Sequence, residues 1–260
     1  MGSDRNLNSR KAVLAASKII EQYGITKPKD IHLKDIAFAL GVRIVEGPLA
    51  GAAASLVRRG DQAIIRINDN ESNPHRKRFS IGHELGHFVL QHGHTLQRIC
   101  STADLNTWYN NSEEAQANTF AAELLLPGKL IAPLCDVDAS DISFDLIREI
   151  STDFRVSLTA TAIRFVEFCP EPCAIVCSMQ NKISWSWTNG EWQPFIERNV
   201  ILDQETVAYD LHKGKELPDE PIEVPAYAWV DEEFTTPIME HSVRFPRLGF
   251  VLSLLWMEDF

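Results

Sequence analysis

His83 and His87 stand one helical turn apart in a stretch, 75–92, that has no proline after Pro74 and continues into the apolar run Phe88-Val89-Leu90. A helix turns about 100° per residue, so side chains four apart share a face and both imidazoles can reach one point. This spacing constrains the fold. Leu85, Phe88 and Val89 must pack on a domain body while the two histidines face a cleft, and Gly93 is available to end the helix. Two imidazoles converging on one point form a metal site, and Glu84 sits beside it, placed to take a proton from water without ligating the ion.

A catalytic zinc site needs a third protein ligand and a fourth position left open. His92 and His94 follow closely, but a long metzincin motif wants Gly three residues after the second histidine and His six after it. Those positions hold Leu90 and Gly93. Asp104 has no flanking pattern that recommends it. The better candidate is Glu114, in a helix of residues 112–126 with Ser112 as cap and Pro127 as stop. Ala117 and Ala121 share a stripe with Glu114, and small side chains let this helix lie close against the first. Glu113 and Glu123 point elsewhere on the wheel and read as solvated charges.

Arg78-Phe79-Ser80-Ile81-Gly82-His83-Glu84-Leu85-Gly86-His87, followed by Glu114-Ala115-Gln116-Ala117-Asn118-Thr119-Phe120-Ala121-Ala122-Glu123-Leu124-Leu125-Leu126-Pro127, resembles the ImmA/IrrE family of bacterial and phage metallopeptidases. Residues 33–42 and Phe154-Arg155-Val156-Ser157, with Ala160 and Arg164, extend the resemblance over residues 10–168. It implies that Glu114 is the third zinc ligand beside His83 and His87, that Glu84 is the catalytic base, and that one Zn²⁺ is bound. It also implies limited cleavage of a regulatory protein, a helix-turn-helix repressor in many members. The alternative is a zinc-containing module that holds or senses a repressor without cutting it, and intact Glu84 speaks against that. For the oxyanion, His75, Arg76, His92, His94 and Tyr109 are candidate donors within reach by sequence. Arg76, Lys77 and Arg78 read first as a paired or solvated charge run. Strand 63–68 is a candidate edge for an extended substrate.

A net charge of −11 disfavours direct nucleic-acid binding, and no basic recognition helix follows residues 35–42. No stretch approaches the ~18–20 apolar residues that span a bilayer, so a cytoplasmic chain with no membrane role is expected. Five cysteines suit a reducing compartment; Cys169, Cys173 and Cys177 read as structural, the last two on one face of a buried strand.

Helices are expected over 10–24 and 31–40, strands over 42–45 and 63–68, a polar loop over 95–111, and further helices over 128–135, 143–153 and 157–168. Cys169-Pro170-Glu171-Pro172 then breaks the periodicity. Strand formers follow over 174–178, 183–188, 243–245 and 250–256, with Asn189-Gly190 as a hairpin turn. The fold class is α+β: a minimal zincin-like peptidase domain over 1–168, then a smaller, mostly antiparallel α+β domain over 169–260. Some members carry a GAF-like sensory domain here, but the segment is short for one.

Overall fold

The computed structural model describes residues 3–91, 97–100, 113–217, 219–231 and 234–257. The chain divides into two compact units, Met1–Leu130 with Asp153–Ser157, and Ile131–Thr152 with Leu158–Phe260. The boundary expected at 168 therefore differs from the division found. Residues 131–152 and 158–168 group with the C-terminal sheet, on which helix 158–168 packs.

The first unit runs α1 (Ser3–Gln22), α2 (Leu33–Ala39), β1 (Val42–Gly47), β2 (Ala54–Arg59), β3 (Gln62–Asn68), α3 (Pro74–Val89), β4 (Gln97–Cys100) and α4 (Glu113–Leu125). Its sheet has the order β1-β3-β2-β4, with β1 parallel to β3 and the other pairs antiparallel. Alternation in β3 buries Ala63, Ile65 and Ile67 and exposes Gln62, Ile64 and Arg66. Helix α3 lies on the buried face, where the Arg58 guanidinium stands over the Phe88 ring at 5.0 Å. The expected β3 edge is corrected by this order. β3 is central and its main chain is paired on both sides, so no substrate strand can add to it.

Helix α3 starts where Asn73 Oδ1 accepts from the amides of His75 at 2.9 Å and Arg76 at 3.3 Å, with Pro74 at the first helical position. It ends at Leu90, before Gln91 at φ 57°; the expected terminator Gly93 lies outside the described residues. Strand β4 occupies the start of the expected polar loop, and 101–111, like Ser112, lie outside the described residues.

The second unit contains α5 (Gly128–Cys135), α6 (Phe144–Phe154), α7 (Leu158–Phe168), β5 (Cys173–Met179), β6 (Lys182–Thr188), α8 (Val207–His212), β7 (Ile222–Val224), β8 (Ile238–Phe245) and β9 (Phe250–Trp256), of which α5 and α6 straddle the division. The five strands form one antiparallel sheet in the order β6-β5-β9-β8-β7. Ala174, Val176, Val251 and Leu255 pack with Val207, Ala208, Trp192 and Trp229. The expected hairpin turn was misplaced. Gln180 and Asn181, at φ 50° and 63°, make the two-residue turn between β5 and β6. Asn189 instead ties down the proline-broken connector: its Oδ1 accepts from the Cys173 and Trp192 amides, and its Nδ2 donates to the Cys169 and Glu171 carbonyls.

Cys135, Cys169, Cys173 and Cys177 are buried free thiols. Burial pushes Cys135 up to about 12 and Cys177 to about 11, which keeps both protonated at neutral pH. On β8, fully buried Glu240 accepts from the Val207 amide at 3.0 Å, the Ala208 amide at 2.8 Å, Trp229 Nε1 at 2.8 Å and Ser242 Oγ at 2.7 Å.

Candidate metal centre

Helices α3 and α4 cross at backbone contact. A Cβ placed on Gly82 would meet Ala121 Cβ at 3.2 Å, and one on Gly86 would meet Ala117 Cα at 3.0 Å and its carbonyl oxygen at 3.1 Å. The small stripe of α4 thus meets two glycines of α3, the second lying between His83 and His87. Replacing Gly86 by Ala gains up to about 1 kcal/mol of helix propensity, but the opposing atoms are backbone and cannot step aside. The expected net effect is a loss of about 1–3 kcal/mol in urea unfolding, with weaker metal binding as the helices part. A variant of wild-type stability would show that the seam has slack.

This approach brings Glu114, in the first turn of α4, to the two histidines. His83 Nε2 and His87 Nε2 are 3.0 Å apart, and Glu114 Oε2 lies 3.1 Å and 3.3 Å from them. Both imidazoles are fully buried and meet edge to face at 80°, while the Glu114 side chain is 19% exposed. His83 Nδ1 is 2.8 Å from Asn118 Oδ1, a contact that fits an Nδ1–H donor and leaves the Nε2 lone pair facing the other ligands. Three electron-rich atoms this close, all of them buried, call for a cation between them. A tetrahedral ion with bonds of about 2.0–2.1 Å has ligand–ligand edges of roughly 3.3 Å, and the three separations lie near that value. Among the described residues, these three form the one group of His, Cys, Asp or Glu whose ligand atoms converge in this way.

Glu84, the next residue along α3, is fully buried. Asn118 lies in the second helix's motif, where sequence alone assigns it no role. The available signal was its place one turn after Glu114 on the stripe that faces α3. Asn118→Ala frees the His83 ring to rotate and change tautomer, so zinc affinity should fall about 10–100-fold in competition with a chromophoric chelator. Equal affinities would show that the contact does not orient the ring.

Glu113 is exposed, as expected, but Glu123 is not a solvated charge. It is 6% exposed; its Oε1 accepts from Ser17 Oγ at 3.3 Å and from the Gly128 amide at 3.1 Å, joining α1 to α4 and satisfying the start of α5. In the charge run, Lys77 pairs with Glu46 at 2.7 Å and Arg76 with Glu71 at 3.6 Å, in keeping with structural pairing. Of the proposed oxyanion donors, His75 is half-buried and Arg76 exposed near the start of α3; His92, His94 and Tyr109, like Asp104, lie outside the described residues.

Residues 37–166 match the family model of the IrrE N-terminal-like domain, a peptidase family. The chain belongs to the ImmA/IrrE family. The match spans both motif helices and extends past the division between the two compact units. No curated protein matches the chain. Among solved structures, a Mycobacterium tuberculosis transcriptional regulator shares the fold, with a TM-score of 0.59 at 15% identity over 98% of this chain and 80% of its own. No described helix is long and apolar enough to cross a membrane.

Proposed function

We propose that this ImmA/IrrE member is a zinc endopeptidase that makes limited cuts in a regulatory protein, a helix-turn-helix repressor. The observation that carries the reading is the convergence of His83 Nε2, His87 Nε2 and Glu114 Oε2 within hydrogen-bonding distances of one another, beside a fully buried Glu84. Three protein ligands leave a fourth position for water, and a purely structural site has no use for an adjacent carboxylate. When bound, zinc lowers the pKa of water to about 7 and polarises the scissile carbonyl. Glu84 takes the proton from the attacking water and returns it to the departing amine. Asn118 holds the His83 ring so that its Nε2 stays directed at the ion.

The substrate assignment rests on the family resemblance and on the regulatory description of the structural relative. The chain is proposed to work in the cytoplasm, where such repressors act. The deciding experiment compares the zinc-loaded chain with its Glu84→Gln variant on purified helix-turn-helix repressors. Discrete fragments from wild type alone support the reading, and identical behaviour towards every repressor overturns it.

A further inference from the structure

The solvent face of the four-stranded sheet carries charge of the wrong sign for this chain. The protein has 25 Lys and Arg against 36 Asp and Glu. Cross-strand register places Arg43, Ile64 and Val57 side by side on this face, with Arg66 in the next row beyond Ile64 and Arg59 in the row on the other side. All three arginines are exposed, and Val57 and Ile64 keep 43% and 45% of their surface in water. Among the described residues none of the three makes an ion pair. No acidic residue occupies this face of β1, β2 or β3; Asp61 and Asp69 sit in the turns at the ends of β3. Ser55, the β2 neighbour of Arg66 in the next row, is buried at 4% and lies outside the exposed patch.

We infer that this face is a docking surface for an acidic, amphipathic segment of a partner protein, with aliphatic side chains seated on Val57 and Ile64 and carboxylates reaching the three arginines. A guanidinium grips a carboxylate through two parallel hydrogen bonds, and its planar fork suits a flat sheet face. Nucleic acid fits less well. Aliphatic side chains stand between the cations, where a phosphate backbone offers no apolar group to seat on them.

Helix α3 packs on the other face, so the surface is separated from His83 and His87 by the thickness of the sheet. A partner held here leaves the metal centre open. The inference does not depend on peptide hydrolysis, since its readout is binding and Glu84 takes no part in it.

The test uses the full zinc-loaded chain and a fluorescent, helix-forming peptide with Leu on one face and Glu on the other. Controls are a Lys-for-Glu version of the peptide and a labelled DNA duplex. Anisotropy should show saturable binding of the acidic peptide that weakens with salt and falls at least about tenfold in R43E/R59E/R66E. The variant V57T/I64T keeps strand-forming residues at both positions and should bind several-fold more weakly with its fold intact. Unchanged binding in both variants, or none up to about 1 mM peptide, overturns the inference. Duplex binding with the same arginine dependence would make the face a nucleic-acid surface. Concentration-dependent self-association lost in the arginine variant would make a second copy its occupant. Either of these outcomes also overturns it.

Discussion

Glu84→Gln is expected to reduce repressor cleavage by about 10²–10⁴-fold while leaving one zinc per chain. The amide matches the carboxylate in shape but cannot accept a proton, so the substitution removes the base and leaves the ligands in place. Glu84 is fully buried on α3, and a glutamine of the same size fits the space without introducing a charge. Lost cleavage cannot then be ascribed to a collapsed fold. Zinc content by mass spectrometry and urea unfolding should match wild type, while the rate of fragment appearance separates the two proteins. Retained cleavage would exclude Glu84 as the base.

The largest loss of stability is expected from Glu240→Ala, far from the metal ligands in sequence. Its carboxylate accepts from two amides at the start of α8, from the Trp229 indole and from Ser242. Truncation orphans buried donors that cost about 1–3 kcal/mol each, partly relieved by water entering the gap, so unfolding should lose about 3 kcal/mol or more. Burial raises the carboxyl above its ordinary value of 4.5, although the hydrogen bonds from Ser242, Trp229, Ala208 and Val207 act to lower it. The folded state thus holds the proton more tightly than the unfolded chain. Glu240's contribution is fully present below 4.5 and declines as pH rises through the folded value. The gap between wild type and variant should narrow over that window, and a gap that widens there would contradict the assignment.

What sequence conveyed about the metal centre was local. Four-residue spacing puts His83 and His87 on one face whatever else the chain does, and the Ala117 and Ala121 stripe announced a close helix. What it missed was set by partners distant along the chain. Glu123 does turn away from the metal, as the helical wheel indicated, but that side packs on α1, and Ser17 stands 106 residues away. The pattern of β3 reads the same in a central strand as at an edge. Only the pairing shows β1 on one side of it and β2 on the other. The Asn189-Gly190 signal was used to clamp a connector, while Gln180-Asn181 made the turn without glycine.

The glycine–alanine seam between α3 and α4 also bears on how the ion comes and goes. Helices in backbone contact cannot slide past one another without separating, so the two elements that carry His83, His87 and Glu114 are held in register by their packing. In a zinc finger, by contrast, binding the metal is the folding reaction. Here the two helices meet through glycine and alanine, so a chain treated with a chelator is expected to keep its urea-unfolding transition and to take up a divalent ion again, which a single titration would check.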